Sequence, residues 1–203
     1  MIREAYEDAA QTFVATVRQV GAEQWDLPAL GEWSVRDLVG HASRALLTVE
    51  TYLGQPAAAV EVERPADYFI RANAALADPA AVAARGREAG RTLGADPAAT
   101  VHETAERVLA EVKTAADDTC LTTPVGGMRL IDYLPTRVFE LTVHTLDIAA
   151  AISVPVTLPK GAAALTLGLV TDLVASRPDK VAPLLLAATG RQALPPGFSV
   201  FSE

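Results

Sequence analysis

Within the stretch Arg137–Ala150, RVFELTVHTLDIAA, an acid and an imidazole stand four positions apart in an otherwise oily run. At that spacing Glu140 and His144 share one helix face. They offer either a proton-holding pair or two donors for a divalent cation. On a wheel of about 100° per residue, Tyr133, Thr136, Arg137, Glu140, His144 and Asp147 fall within an arc of about 100°. Nearly everything outside that arc is apolar, and a helix with so wide an apolar face is packed on most sides. Two readings of the polar stripe follow. In one it is the solvent face, and Glu140–His144 is an ordinary pair worth a few tenths of a kcal/mol. In the other it lines an interior, where a carboxylate costs several kcal/mol unless it is paired or bound to a metal.

A metal requires a third donor, and the chain has two further histidines. His41 sits one turn from Leu38 and Ala45, at the edge of an apolar stripe, where it is either a hydrogen-bonded core residue or a ligand. His102 lies in the polar stretch VHETAER and reads as a surface residue or as support for other groups. Ligands projecting inward from facing helices are a common way for bundles to hold metals. A His, Glu, His set is a known catalytic zinc set with a fourth position left open. Cys120 stands outside every motif and reads as structural.

The elements that must position these groups are helical. Ile2, Tyr6, Ala9, Phe13, Val17 and Val20 form one amphipathic stripe, with Gly21 as its stop. Ser34 and Asp37 make a capping-box-like start for a second helix, whose buried stripe runs from Val35 to Leu53 and ends at Gly54. Shorter helical pieces are expected over 66–77 and from Pro79 to about Leu93, the latter opened by Asp78-Pro79. Asp96-Pro97 opens a longer helix with stripe Val101, Ala105, Val108, Val112 and Ala115. CLTTPVGGMRL is a short hairpin or an ordered loop. A further helix starts near Asp132, with Pro135 in its first turn, and runs to about Ala151. Beyond the linker SVPVTLPKG lie a helix over 162–175 and a proline-rich end with a short apolar run. Four main helices joined by modest loops predict a mainly α protein, an antiparallel four-helix bundle.

The bulk properties bound the function. A chain of 203 residues, half of them apolar, buries a real core. A formal charge of -8 argues against nucleic acid, since phosphate binding needs a cationic face. A single cysteine rules out an internal disulfide and fits a reducing compartment. The charged N-terminus is unlike a signal peptide, and the apolar stretch around LTLGLVTDLVA is broken by Asp172 before it can span a bilayer. The expectation is a cytoplasmic protein without a membrane partner.

WSVRDLVGH, followed about 90 residues later by DYLPTRVFELTVHTLDIA, resembles the metal-binding domain of the mycothiol-dependent maleylpyruvate isomerase family, within the DinB-like superfamily of four-helix bundles. The matching positions are Trp33, Ser34 and His41, then Arg137, Glu140, His144 and Asp147. The resemblance covers about residues 1–152 and implies a DinB-like metal-binding bundle there, with 153–203 as a short C-terminal α or α/β appendage. It implies that His41, Glu140 and His144 hold a divalent metal, most simply zinc, with Arg137 and Asp147 supporting them through hydrogen bonds. It also implies mycothiol as thiol cosubstrate and a small electrophile as substrate, in an S-transferase or cis–trans isomerase reaction. The segment LLLAATGR is similar to one where the family's arginine holds an anionic substrate, which points to Arg191. Such bundles can form homodimers. Metal-assisted hydrolysis ranks lower, because the motif region offers no second acid as base. A rival of another class is a non-catalytic metal- or ligand-binding bundle in stress response.

Overall fold

Ser34 starts the second helix as its sequence demands. Its hydroxyl oxygen accepts from the backbone N–H of Asp37, and the Asp37 carboxylate accepts from the backbone N–H of Ser34. The computed structural model describes residues 1–76 and 78–201. In chain order its elements are α1 (Ile2–Val17), a short 3-10 turn (Ala22–Gln24), β1 (Pro28–Leu30), β2 (Trp33–Ser34), α2 (Val35–Leu53), α3 (Pro65–Leu76), α4 (Pro79–Thr92) and α5 (Pro97–Thr114). They continue with β3 (Cys120–Thr123), β4 (Gly126–Arg129), α6 (Leu130–Ala151), α7 (Lys160–Ala175) and α8 (Pro178–Ala188). The protein is mainly α, a helical bundle with a small appendage. The expected helix end at Ala77 and the last two residues of the expected appendage, 202–203, lie outside the described residues.

Helices α1, α2, α5 and α6 form the bundle. α1 and α2 each pack against both α5 and α6, so the ring runs α1, α5, α2, α6. The core they enclose is made by Tyr6, Phe13, Leu38, Leu46, Val108, Leu134 and Leu141 with their neighbours. α4 lies along α2, α3 lies against α6 and α7, and α7 covers α6 and α1. Both Asp-Pro pairs cap as their sequence implies: Asp78 accepts from the Ala80 N–H and Asp96 from the Ala99 N–H. CLTTPVGGMRL is a hairpin, with Cys120 opposite Arg129 and Thr123 opposite Gly126.

Two expectations need correction. α1 ends at Val17, three residues before its stripe does. α6 begins at Leu130, so Pro135 lies past the first turn. Its missing N–H there forgoes a helical hydrogen bond to Ile131, a cost of about 3 kcal/mol in an isolated helix; burial of α6 from Tyr133 to Phe139 offsets it. The segment after 152, expected as an α or α/β appendage, forms the helices α7 and α8, with no strand among the described residues.

Candidate metal centre

The polar arc of α6 faces inward. Tyr133, Thr136 and Arg137 are buried, and the Tyr133 hydroxyl donates to Thr48 Oγ1 on α2 at 2.9 Å. This disposes of the solvent-face reading of the stripe. Farther along α6, His144 presents Nε2 to Glu140 Oε2 at 3.3 Å and Nδ1 to Asp147 Oδ2 at 3.0 Å. One imidazole is therefore clamped between two carboxylates of its own helix, at four residues back and three ahead. Side-chain exposure is 13% for His144 and 22% for Glu140, so the pair is largely shielded from water but not sealed.

His41 comes to the same place from α2. Its ring meets that of His144 edge-on, with centroids 4.9 Å apart and planes at 82°. Behind it stands Trp33, at 4.4 Å between ring centroids. The indole is more than a filler beside the helix start, because its Nε1–H donates to the Ala83 carbonyl of α4 at 3.0 Å. Gly86 makes room for it: a Cβ at that position would sit 2.5 Å from the indole. Trp33 thus fixes α4 and backs the His41 ring at once.

Among the described residues, His41, Glu140 and His144 form a group whose donor atoms all lie within 4.8 Å of one another. The group fits a divalent cation on two counts. The His41 ring forms no hydrogen bond to any described residue, its buried Nδ1 being without a partner, so the imidazole is not tied up elsewhere. The 3.3 Å between His144 Nε2 and Glu140 Oε2 is close to the edge of a tetrahedron with bonds of about 2.0–2.1 Å. Asp147 at Nδ1 plays the part expected of a carboxylate behind a ligating histidine, fixing the tautomer that leaves Nε2 facing inward.

The charges are coupled. Burial pushes the His144 imidazolium down, but its hydrogen bonds to Asp147 and Glu140 outweigh that and hold it up at about 9. Burial pushes the Glu140 carboxyl up, and the His144 hydrogen bond with the Arg137 charge brings it down to about 2. His41 is lowered to about 4, first by burial and then by the charge on His144. Arg137 does not touch the donor group through any hydrogen bond. Its Nε donates to Thr136 Oγ1 at 2.9 Å, and its guanidinium lies over the rings of Tyr133 at 4.9 Å and Tyr68 at 5.3 Å. It is a buried cation packed on aromatic faces, acting on Glu140 through its field.

The donor group opens into a cleft of about 470 Å³, whose walls include Arg44, Tyr52, Tyr68, Arg85, Arg137 and Phe201. Sequence reasoning singled out only Arg137 of these. Arg44 could have been found, since it follows His41 by three residues and shares its helix face. Arg85 and Phe201 had no local signal. Arg85 reaches the cleft because α4 docks on α2, and Phe201 because the tail folds back onto Phe69 and Phe139, with ring centroids 5.5 and 5.7 Å away. Arg191 is not brought there: it is exposed after α8, with Nη1 at 3.5 Å from the carbonyl oxygen of Thr189, two residues back. His102 is on the surface of α5 near Glu106, in the wall of a separate groove between α1 and α5.

The family described as the mycothiol maleylpyruvate isomerase N-terminal domain matches residues 6–149. No curated protein and no solved structure matches the chain.

Proposed function

The chain belongs to the mycothiol maleylpyruvate isomerase N-terminal domain family, and from that membership we propose that it is a metal-dependent enzyme that joins mycothiol to a small electrophile, as an S-transferase or a cis–trans isomerase. The observation that carries the metal part of this reading is the convergence of His41, Glu140 and His144, with donor atoms all within 4.8 Å of one another. These three would hold the ion, zinc by preference of the donor set. When bound, a divalent cation supplies Lewis acidity that favours the thiolate form of a coordinated thiol at neutral pH.

The chain's own residues do the rest. Asp147 keeps the His144 proton on Nδ1, so that Nε2 is free to act as a donor. Trp33 covers His41 on the side of α4, and Tyr133, tied to Thr48 of α2, carries the Arg137 guanidinium whose field acts on Glu140. Arg44 and Arg85 line the mouth and bring positive charge to a cleft whose nearest acid, Glu140, is already committed. Such a cleft favours an anionic thiol and stabilises negative charge that develops on an electrophile. No cysteine of the chain is needed as nucleophile, and Cys120 lies in the hairpin with its Sγ 3.4 Å from the Ala59 carbonyl oxygen.

Two measurements test this. Native protein is expected to bind one divalent ion per chain, and His144→Ala to bind none; full occupancy in that variant would remove His144 from the ligand set. Metal-loaded protein is expected to consume electrophiles only when mycothiol is present. Equal inactivity with and without the thiol, across several electrophiles, would favour a binding bundle instead.

A further inference from the structure

A second groove, of about 380 Å³, runs between α2 and α4 and adjoins the cleft at the donor group. The two share Arg44, Thr48, Tyr52 and Arg85 as lining. Beyond those four the groove continues past Thr51 on α2 and past Glu88 and Thr92 on α4. On α2, positions 41, 44, 48, 51 and 52 follow one helix face, so Thr51 lies ten residues from His41, about 15 Å along the axis.

The polar groups here are of a particular kind. Thr48, Thr51 and Thr92 each donate their hydroxyl hydrogen to a carbonyl of their own helix, those of Arg44, Leu47 and Ala89, at 2.7 to 2.8 Å. The Thr48 oxygen already accepts from the Tyr133 hydroxyl, but those of Thr51 and Thr92, both exposed, keep acceptor capacity, and the Glu88 carboxylate, whose Oε2 accepts from Arg91, adds another through Oε1. Arg44 and Arg85 are pure donors and form no ion pair among the described residues. Tyr52 offers a flat ring at the junction. Donors and acceptors together beside an aromatic face suit neither a fatty chain nor a polyanion. They suit a neutral body that carries many hydroxyls, each able to give and take a hydrogen bond.

We infer that the α2–α4 groove holds the polyhydroxylated body of the thiol cosubstrate while its sulfur end reaches the donor group. This rests on the function proposed above and adds to it the location and chemistry of the thiol's recognition. The groove, rather than the metal, would then select mycothiol over smaller thiols.

The test is calorimetric titration of metal-loaded protein with mycothiol and with N-acetylcysteine, which presents the same acylated cysteine without the polyol. Thr51 and Thr92 are exposed, so Thr51→Val with Thr92→Val removes two acceptors without touching the core. The double variant is expected to retain its metal, to bind mycothiol about tenfold more weakly and to bind N-acetylcysteine as the native protein does. Thr92→Trp, which fills the groove, is expected to produce the same split by steric exclusion. Unchanged mycothiol affinity in both variants, or parallel loss of both thiols, would overturn the assignment. So would native protein that binds the two thiols equally well, although metal-centred thiol binding would then survive. Native protein that binds neither thiol would remove the proposed function itself, and this inference with it.

Discussion

His144 is held by two carboxylates, and its proton ties pH to both stability and metal affinity. Its folded pKa, about 9, lies above the ordinary value of about 6.5. In metal-free protein the clamp's contribution is therefore complete below about pH 6.5 and is lost as pH rises through about 9. Glu140 behaves in the opposite sense: its folded pKa of about 2 means its contribution is present above about 4.5 and lost as pH falls through about 2. Thermal melts of metal-stripped protein are expected to fall between pH 7 and 9.5, and His144→Asn should flatten that slope; a flat native profile would contradict the clamp. A cation must displace the Nε2 proton, so metal affinity is expected to rise with pH up to about 9, with about one proton released per ion at neutral pH. Calorimetry in buffers of different ionisation enthalpy reads that proton directly. Asp147 acts only through Nδ1, 3.0 Å away. Asp147→Asn is expected to leave one metal per chain but to weaken it by about 10–100-fold, as measured by competition with a chelator. Loss of all binding would mean that Asp147 ligates directly.

At the scale of elements, the site depends on how closely α4 approaches α2. A Cβ at Gly40 would stand 2.2 Å from the Gly90 backbone nitrogen, so the two glycines mark a crossing where backbones touch. Gly40→Ala is expected to push α4 outward and to destabilise the fold by about 1–3 kcal/mol. Because Trp33 and Arg85 depend on α4, metal and thiol affinity should fall with it. Denaturant unfolding measures the first effect and titration the second; a neutral Gly40→Ala would show that this crossing yields easily. The same crossing explains what was legible in the sequence and what was not. Ser34, Asp78 and Asp96 each declare a helix start through a local hydrogen bond, so the elements can be read from neighbouring residues. The stripe Tyr133 to Asp147 reveals its unusual balance of polar and apolar arcs from one helix alone. Gly40, Gly86 and Gly90 carry no such message. Taken locally they are weak helix formers, and only the contacts of α4 with α2 and with Trp33 give them meaning. Hence His41, Glu140 and His144 could be grouped beforehand, whereas Arg85, Phe201 and the α2–α4 groove could not. Arg191 shows the converse: its segment resembled one with a role, but it stands exposed after the turn at Gly190, outside the residues that line the cleft.

At the scale of the molecule, a chain with net charge -8 turns arginines toward one cleft. The acidic exterior repels anions at long range, but at about 0.15 M salt that field is screened beyond about 8 Å. Affinity for an anionic electrophile should therefore depend on the cleft and only weakly on salt. The second molecular question is whether the segment beyond residue 152 unfolds by itself. α7 buries Ala162, Thr166, Leu169 and Leu173, and it packs on α1 and α6, the helix that carries Glu140 and His144. Phe201 extends that tie by packing against Phe139, one residue before Glu140. A segment that shares its apolar face with the bundle cannot leave without exposing the face on α6. A single calorimetric transition is expected, with calorimetric and van't Hoff enthalpies equal. Saturating metal should move that whole transition upward, since an ion present at about 100 times its dissociation constant adds about 2.7 kcal/mol to the native state alone. If the scan instead resolves two transitions and metal shifts only one, the bundle and the segment after it are separate folding units. In that case Phe201 would be a passive cover rather than part of the wall that shapes the cleft.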